Sequence, residues 1–325
     1  MRRRSAPWGA LAVLAGSLMF AVNGTVAKLA MQSGLSPERL VQLRCLGSAV
    51  LLVAVALIVS PRSLRARGKE LAVLALLGVV GVALVQWCYL VAISRLPVGL
   101  ALLLEYTAPL LVALWARFVL GEQVRARVWW ALASCLAGLA LVAQVGDGIV
   151  LDGLGLAAGA GAAIALAAYY LLGERLMTRR EPLTTHAWSM AFAALLWVVL
   201  QPLWTFPGGL LAKPAPLAGP LADVSAPMWV LVLGIVVLGT AVPYLLFLVG
   251  IRHLGAARAG LLGMTEPVAA SAVAWVVLGE AMTAVQLIGG AVVLAGIGLA
   301  ETSRRRSLEP AIGVASVSPA STTAP

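Results

Sequence analysis

The sequence predicts an all-α integral membrane protein: ten transmembrane helices, arranged as two five-helix repeats of opposite orientation. Three observations lead there: the composition, the spacing of apolar blocks, and a stretch of chain that occurs twice. Hydrophobic residues make up 62% of the 325 and charged residues only 11%, and mean hydropathy is +1.00. A soluble domain carries roughly a quarter charged residues. The formal charge of +10 does not point to nucleic acid, because the basic residues sit between apolar blocks and form no continuous stripe. Cys45, Cys88 and Cys135 lie inside apolar blocks and read as buried free thiols.

Crossing roughly 30 Å of hydrocarbon takes about 20 largely apolar residues. Ten blocks qualify: 8–30, 37–60, 70–93, 97–119, 127–145, 153–174, 183–205, 227–250, 255–278 and 282–300. The first follows Arg2–Arg4 and resembles a secretory signal, but its apolar run continues through Ala30, so it reads as the first membrane helix. Connections such as Ser94–Leu96 and Gly279–Ala281 are short, which makes successive helices antiparallel. Residues 206–226, rich in Pro and Gly, read as an exposed loop. The division expected is a cytoplasmic N-terminus (1–7), a first repeat (8–145), an outer linker (146–152), a second repeat (153–300) and a disordered cytoplasmic tail (301–325), which is rich in Ser, Thr, Pro and Ala.

Lys and Arg decide the orientation. With the N-terminus inside, sixteen fall on the cytoplasmic side, in the groups Arg2–Arg4, Arg62–Lys69, Arg125 and Arg127, Arg175–Arg180, Arg252 and Arg304–Arg306. Four fall outside (Lys28, Arg39, Arg95 and Lys213), and Arg44, Arg117 and Arg258 lie within helices. The bias places both termini in the cytoplasm of a cell membrane, and the Ala/Leu/Arg/Val-rich composition suggests a bacterium.

Sliding the chain by 158 residues aligns Leu96–Glu122 with Leu254–Glu280, with eleven of 27 positions identical. Thr107–Pro109 meets Thr265–Pro267, and Leu120–Gly121–Glu122 meets Leu278–Gly279–Glu280. Five helices per copy is an odd number, so the second copy enters the membrane upside down. Inverted repeats recur in secondary transporters, with the solute site near the midplane between copies.

These residues resemble the EamA type of the drug/metabolite transporter superfamily. Each half carries the short turn, the Pro in the next helix and the L-G-E near its end that recur in that family. Ile93–Gly99 with Leu104–Pro109, and Thr265–Glu266–Pro267, are also similar to threonine/homoserine exporters. The resemblance implies ATP-independent export of small metabolites, amino acids among them. Its partners would be the solute, membrane lipid and protons as a coupling option, without nucleic acid; a monomer and a homodimer both stay open.

Two intramembrane carboxyls lead the candidate solute- or proton-binding residues. At about 1.5 Å per residue, Glu105 lies roughly 12 Å and Glu266 roughly 16 Å into their helices, near the bilayer middle. In the repeat alignment Glu266 matches Ala108, three residues after Glu105, so both carboxyls are expected on one face of equivalent helices. Carboxylates at that depth face protein, a partner or water. They bind a proton or a substrate amine, or else they form a structural ion pair with Arg44, Arg117 or Arg258. Asn23, Gln86, Trp87, Tyr89, Tyr106, Thr107, Tyr169, Tyr170, Tyr244 and Thr265 are the remaining candidates. Tyr and Trp there offer a flat apolar face with a polar tip, and those nearer helix ends also fit an interfacial anchor. Pro109 and Pro267 each remove a helical hydrogen bond and are expected to kink a continuous helix, as hinges for alternating access. His186 and His253, near block ends, read as surface or interface residues. Gly155, Gly159, Gly161, Gly289, Gly290, Gly296 and Gly298 allow close helix approach.

No cofactor, P-loop or metal motif is present in the sequence. A secondary transporter is thus the expectation. The alternatives are a channel-like facilitator and an intramembrane lipid-modifying enzyme, for which acid/base and metal groups are too few.

Overall fold

A computed structural model describes residues 6–144, 152–216, 225–278 and 283–305. The chain is mostly helical. Long helices α1 (Ala6–Gln32) and α2 (Pro37–Val59) open it. Ser36 caps α2 by accepting from the Arg39 amide at 3.3 Å, and Pro37 supplies a first helical residue whose missing N–H costs nothing. The third run is composite: α3 (Lys69–Gly78), a π-helical segment Val79–Leu84, then α4 (Val85–Arg95). Next come α5 (Val98–Glu105), α6 (Ala108–Phe118) and α7 (Ala126–Val142).

Beyond residue 152 the helices are α8 (Gly153–Met177), α9 (Pro182–Leu200), α10 (Met228–Val236), α11 (Val242–Leu254), α12 (Ala256–Gly263), α13 (Thr265–Leu278) and α14 (Ala284–Arg305). A π-helical segment, Val237–Ala241, joins α10 to α11. Asp152 caps α8 through the Gly155 amide at 2.7 Å. Between α9 and α10 the Pro/Gly-rich loop forms a two-stranded antiparallel sheet, β1 (Pro214–Pro216) with β2 (Ser225–Pro227), Ala215 facing Ala226. Residues 217–224 of that loop, the linker residues 145–151, Glu280 and the tail beyond Arg305 lie outside the described residues.

Among the described residues, seven runs are long and apolar enough to cross a membrane, including Lys69–Arg95, Val98–Phe118 and Met228–Leu254. Of the other three blocks expected to span, two hold the shorter apolar helices Ala126–Val142 and Ala284–Ala300, and the third holds α12 and α13, divided at Met264. Large apolar side chains stand on the outside of the bundle, including Ile58, Phe118 and Val199. A surface of this kind suits lipid rather than water. The protein is a multi-pass membrane protein of helices.

The 158-residue offset found in the sequence returns in the structure. It carries the π-helical segment starting at Val79 onto the one starting at Val237, α5 onto α12, and Ala126–Val142 onto Ala284–Ala300. α7 and α14 pack closely through glycines. A methyl on Gly138 meets the Gly289 carbonyl oxygen at 2.7 Å, and a methyl on Gly289 meets the Gly138 carbonyl oxygen at 2.6 Å. Where α7 and α14 cross, the Cys135 thiol donates to the carbonyl of Val293, the residue 158 positions on, at 3.6 Å.

Cationic side chains tie the ends of the bundle. Arg180 donates to Glu70 (3.1 Å) and to the Arg65 (3.0 Å) and Ser63 carbonyls, fastening the turn after α2 to the corner between α8 and α9. At the other end Arg39 donates to Gln42 (2.9 Å), to the Pro202 carbonyl (3.3 Å) and to the Thr205 hydroxyl, binding the start of α2 to the end of α9. Gly121 of the first L-G-E takes φ +69°, a conformation glycine adopts without strain, and the chain leaves α6 with the Glu122 amide returning to the Ala116 carbonyl at 2.9 Å. The motif's first copy is therefore a helix exit, with Glu122 exposed.

Candidate functional site

The two expected proline kinks are helix breaks. α5 ends at Glu105 and α6 begins at Ala108, with Tyr106 (ψ 9°) and Thr107 (ψ −12°) between them. α12 ends at Gly263 and α13 begins at Thr265, with Met264 (ψ −3°) between them. Pro109 and Pro267 occupy the first turn of the new half-helix, where a missing N–H is harmless. The hinge expectation is thus corrected from a bend at each proline to a discontinuity just before it. The reason is local: Thr107 Oγ1 donates to the Leu104 carbonyl at 2.7 Å and Thr265 Oγ1 to the Leu262 carbonyl at 2.8 Å. Each hydroxyl bonds a carbonyl in the last turn of the helix that stops, at Leu104 beside a backbone bond from the Thr107 amide at 3.1 Å. Thr107 and Thr265 therefore cap the breaks and do not line the cavity.

A cavity of about 50 Å³ lies where these breaks meet α1, α2, α4, α8 and α11. Nine of the twelve sequence-predicted binding residues line it. Asn23 comes from α1; Gln86 and Tyr89 from α4, just after its π-helical segment; Glu105 and Tyr106 from the first break. Tyr169 and Tyr170 come from α8, Tyr244 from α11, and Glu266 from the first turn of α13. Trp87 does not line it. Its Nε1 donates to Glu38 Oε1 at 3.3 Å and its ring lies 6.4 Å from Trp197.

The expectation that Glu105 and Glu266 share one face of equivalent continuous helices fails, because Ala108 lies beyond the break. The carboxyls meet by another route: Glu105 is the last residue of one half-helix and Glu266 the second residue of another. Their surroundings differ. Glu266 is 8% exposed, sits in a helix first turn where the dipole favours an anion, and accepts from Tyr106 Oη at 2.6 Å. Glu105 is half-buried at a helix end where carbonyls point, a setting that attracts a cation. Among the described residues it makes no side-chain hydrogen bond or ion pair.

Arg44, from α2, is the cavity's guanidinium. The ion-pair alternative for the carboxyls does not hold for it: no ion pair within 4 Å joins Arg44 to Glu105 or Glu266. Its Nε donates to Thr240 Oγ1 and its Nη2 to the Gly239 carbonyl, both at 2.9 Å. Both partners belong to Val237–Ala241, whose wider turn leaves carbonyls available to a side chain. Nη1 is buried without a partner, as are Asn23 Oδ1 and Gln86 Oε1. Three such polar groups around one cavity are a departure from the rule that buried polar atoms are paired. Arg117, the second suggested partner, is exposed.

An aromatic wall completes the cavity. Tyr244 stands edge-on to Phe20 (5.1 Å, 82°) and to Tyr169 (5.4 Å, 85°), and Tyr169 Oη donates to the Tyr244 carbonyl at 3.0 Å. Behind it, His186 stacks on Tyr244 at 5.8 Å and is fully buried, which corrects its expected surface placement. Its helix packs against the π-helical segment Val79–Leu84 as well as against α2, so a position near a block end is still interior. Phe20, Val85, Leu166 and Phe247 also line the cavity and were not among the expected residues. Helical spacing held the signal: each lies three or four residues from a predicted one, as Phe20 from Asn23 and Phe247 from Tyr244.

A chamber of charged and polar side chains enclosed by broken membrane helices fits a membrane transporter. Residues 7–144 and 153–302 match the EamA-like transporter family, and the chain belongs to it. It is 32% identical over 231 residues to the threonine/homoserine exporter RhtA of Escherichia coli (strain K12), covering 68% of this chain and 69% of that one. It is 26% identical over 305 residues to the uncharacterized inner membrane transporter YicL of Salmonella typhimurium (strain LT2), covering 92% and 96%. A solved crystal structure 20% identical in sequence superposes with a TM-score of 0.72 over 94% of this chain and 100% of that chain, a likeness of fold.

Proposed function

We propose that the protein is a secondary transporter exporting small metabolites, amino acids among them, by alternating access between two inverted five-helix repeats, 8–145 and 153–300. Residues 146–152 link the repeats on the outer side, and 1–7 and 301–325 are cytoplasmic. The observation that carries the reading is the cavity itself, where two carboxyls and a guanidinium are gathered at the breaks of two half-helices. Charged groups are expensive in lipid and are kept where solute or water reaches them. Discontinuous helices around such a chamber are how inverted-repeat transporters expose backbone charge to cargo.

The 158-residue correspondence supports the duplication. The mutual glycine contact of α7 and α14, and the Cys135–Val293 bond between equivalent residues, are what a two-fold relation between halves produces. The excess of Lys and Arg on one set of loops supports cytoplasmic termini in a bacterial cell membrane. Relatives named as threonine/homoserine exporters support export and an amino-acid cargo. Glu105, unpartnered at a helix C-terminus, supplies the site for the cargo's amine or for a coupling proton, with Glu266 held beside it by Tyr106.

Counterflow in proteoliposomes tests the reading. Uptake of labelled solute saturates with concentration, and Glu105→Gln alters its pH dependence. Flux that rises without limit, with single-channel conductance, would establish a channel-like facilitator instead. Unchanged counterflow by both Glu105→Gln and Glu266→Gln at every pH would remove the carboxyls from the mechanism.

A further inference from the structure

We propose that Arg44 is the anion-recognition group of the cavity, and that the cargo is a zwitterion whose carboxylate docks on Arg44 Nη1 while its ammonium meets Glu105. The assignment rests on the transport reading above and specifies its substrate chemistry.

The guanidinium is pre-set for this role. Arg44 is 3% exposed, and two of its three nitrogens are already bound to Thr240 and Gly239. Those bonds fix the plane of the fork and leave Nη1 as the open donor. A guanidinium held on one edge and free on the other suits a carboxylate, which offers oxygens in the same plane. The protein's own carboxyls do not fill the position, since neither lies within ion-pair distance of Arg44, and Glu266 is already engaged by Tyr106.

The placement of the charges points the same way. Arg44 and Glu105 present opposite poles to the cavity, while Glu266 is engaged by Tyr106. A purely anionic cargo would raise the repulsion with Glu105. A simple amine would satisfy Glu105 and leave Nη1 unpaired in a desolvated site, a costly arrangement. A molecule bearing both charges on neighbouring atoms satisfies both poles of a chamber this small. The unpartnered amide oxygens of Asn23 and Gln86 remain to accept from donor groups of the cargo's side chain. The aromatic rings close the apolar flank.

The test uses the purified full-length protein in detergent. Its thermal midpoint is followed against the twenty protein amino acids and homoserine, each compared with its methyl ester and its deaminated acid. At least one free amino acid is expected to raise the midpoint, with the ester and the deaminated acid weaker by about tenfold or more in apparent affinity. Arg44→Gln is expected to remove the preference for acid over ester. Arg44→Lys keeps the charge, loses the fork and recovers it only in part.

An ester binding as tightly as its acid to the unaltered protein overturns the assignment whatever the variants do. So does a failure of every carboxylate in the panel to bind. In either case counterflow of a solute lacking a carboxylate would leave the transport reading standing. Conversely, absence of counterflow for every solute, with acid still preferred over ester, would sink transport and keep the Arg44 site.

Discussion

Gly138 offers a quantitative test of how the two halves are held together. A methyl built on it lies 2.7 Å from the Gly289 carbonyl oxygen and 2.8 Å from the Val293 amide nitrogen, whereas ordinary contact begins at 3.4 Å. Both obstacles are backbone, so no side chain can rotate aside, and Gly138→Ala must part α7 from α14 by about 0.7 Å. A gap of that size forfeits about a quarter to a half of the dispersion well at each facing atom pair. Lipid supplies no hydrophobic drive to recover it. The expected cost is about 1–3 kcal/mol. Gly289→Ala should cost a similar amount, since its methyl meets the Gly138 carbonyl oxygen at 2.6 Å. One displacement relieves both overlaps, so the double variant should lose clearly less than the two single losses added together. Thermal midpoints of the purified variants in detergent measure this, with Gly234→Ala as a control whose methyl meets nothing within 4 Å. A Gly138→Ala protein as stable as the Gly234→Ala control would refute the packing argument. Strictly additive losses would refute the shared displacement.

Tyr106→Phe removes the donor that holds Glu266; it should weaken counterflow and cost about 1–2 kcal/mol of stability, read from initial rates beside thermal midpoints. Gly239→Ala places a methyl on the Asn23 amide, which must swing away from the cavity. Counterflow should fall while thermal stability changes little, the reverse of Gly138→Ala. Arg180→Leu leaves the turn after α2 without its bonds to Glu70, Arg65 and Ser63. Limited proteolysis should then cut near Arg65 faster, with stability lowered by about 1–3 kcal/mol and the thermal midpoint reduced accordingly.

Much of the site was legible in the sequence because carboxyls, amides and tyrosines are conspicuous against apolar blocks. Nine of the twelve residues picked on that ground line one cavity. Glu105 and Glu266 were found through their depth, although the geometry reasoned for them assumed unbroken helices. The break itself was hidden: a proline announces a lost N–H, but whether the helix bends or stops depends on what takes over the freed carbonyl. Thr107 and Thr265 bond the neighbouring Leu104 and Leu262 carbonyls where the helices stop, and neither lines the cavity. The π-helical segments left no trace, since Val79–Leu84 and Val237–Ala241 read as ordinary apolar helix. Arg44 was noticed only as a partner for carboxyls; its orientation is set by one of those unseen segments. His186 was misplaced because distance along the chain from a block end says little about depth in a tilted bundle.

The paired threonine caps have a mechanical consequence. Each hydroxyl holds a carbonyl beside its break, and few backbone bonds bridge the joint, such as Thr107 N–H to the Leu104 carbonyl (3.1 Å) and Met264 N–H to the Leu261 carbonyl (3.2 Å). Changing the angle between α5 and α6, or between α12 and α13, therefore opens little of the ladder in an oily surrounding. Such joints flex at low cost while the rods on either side keep their own ladders. The carboxyl of Glu105 rides on the last residue of one rod and that of Glu266 on the second residue of another, so a swing of a few degrees at either joint would carry a charge from one neighbour to the next. On the proposed transport reading, the two joints that move and the two carboxyls that meet the cargo are the same places.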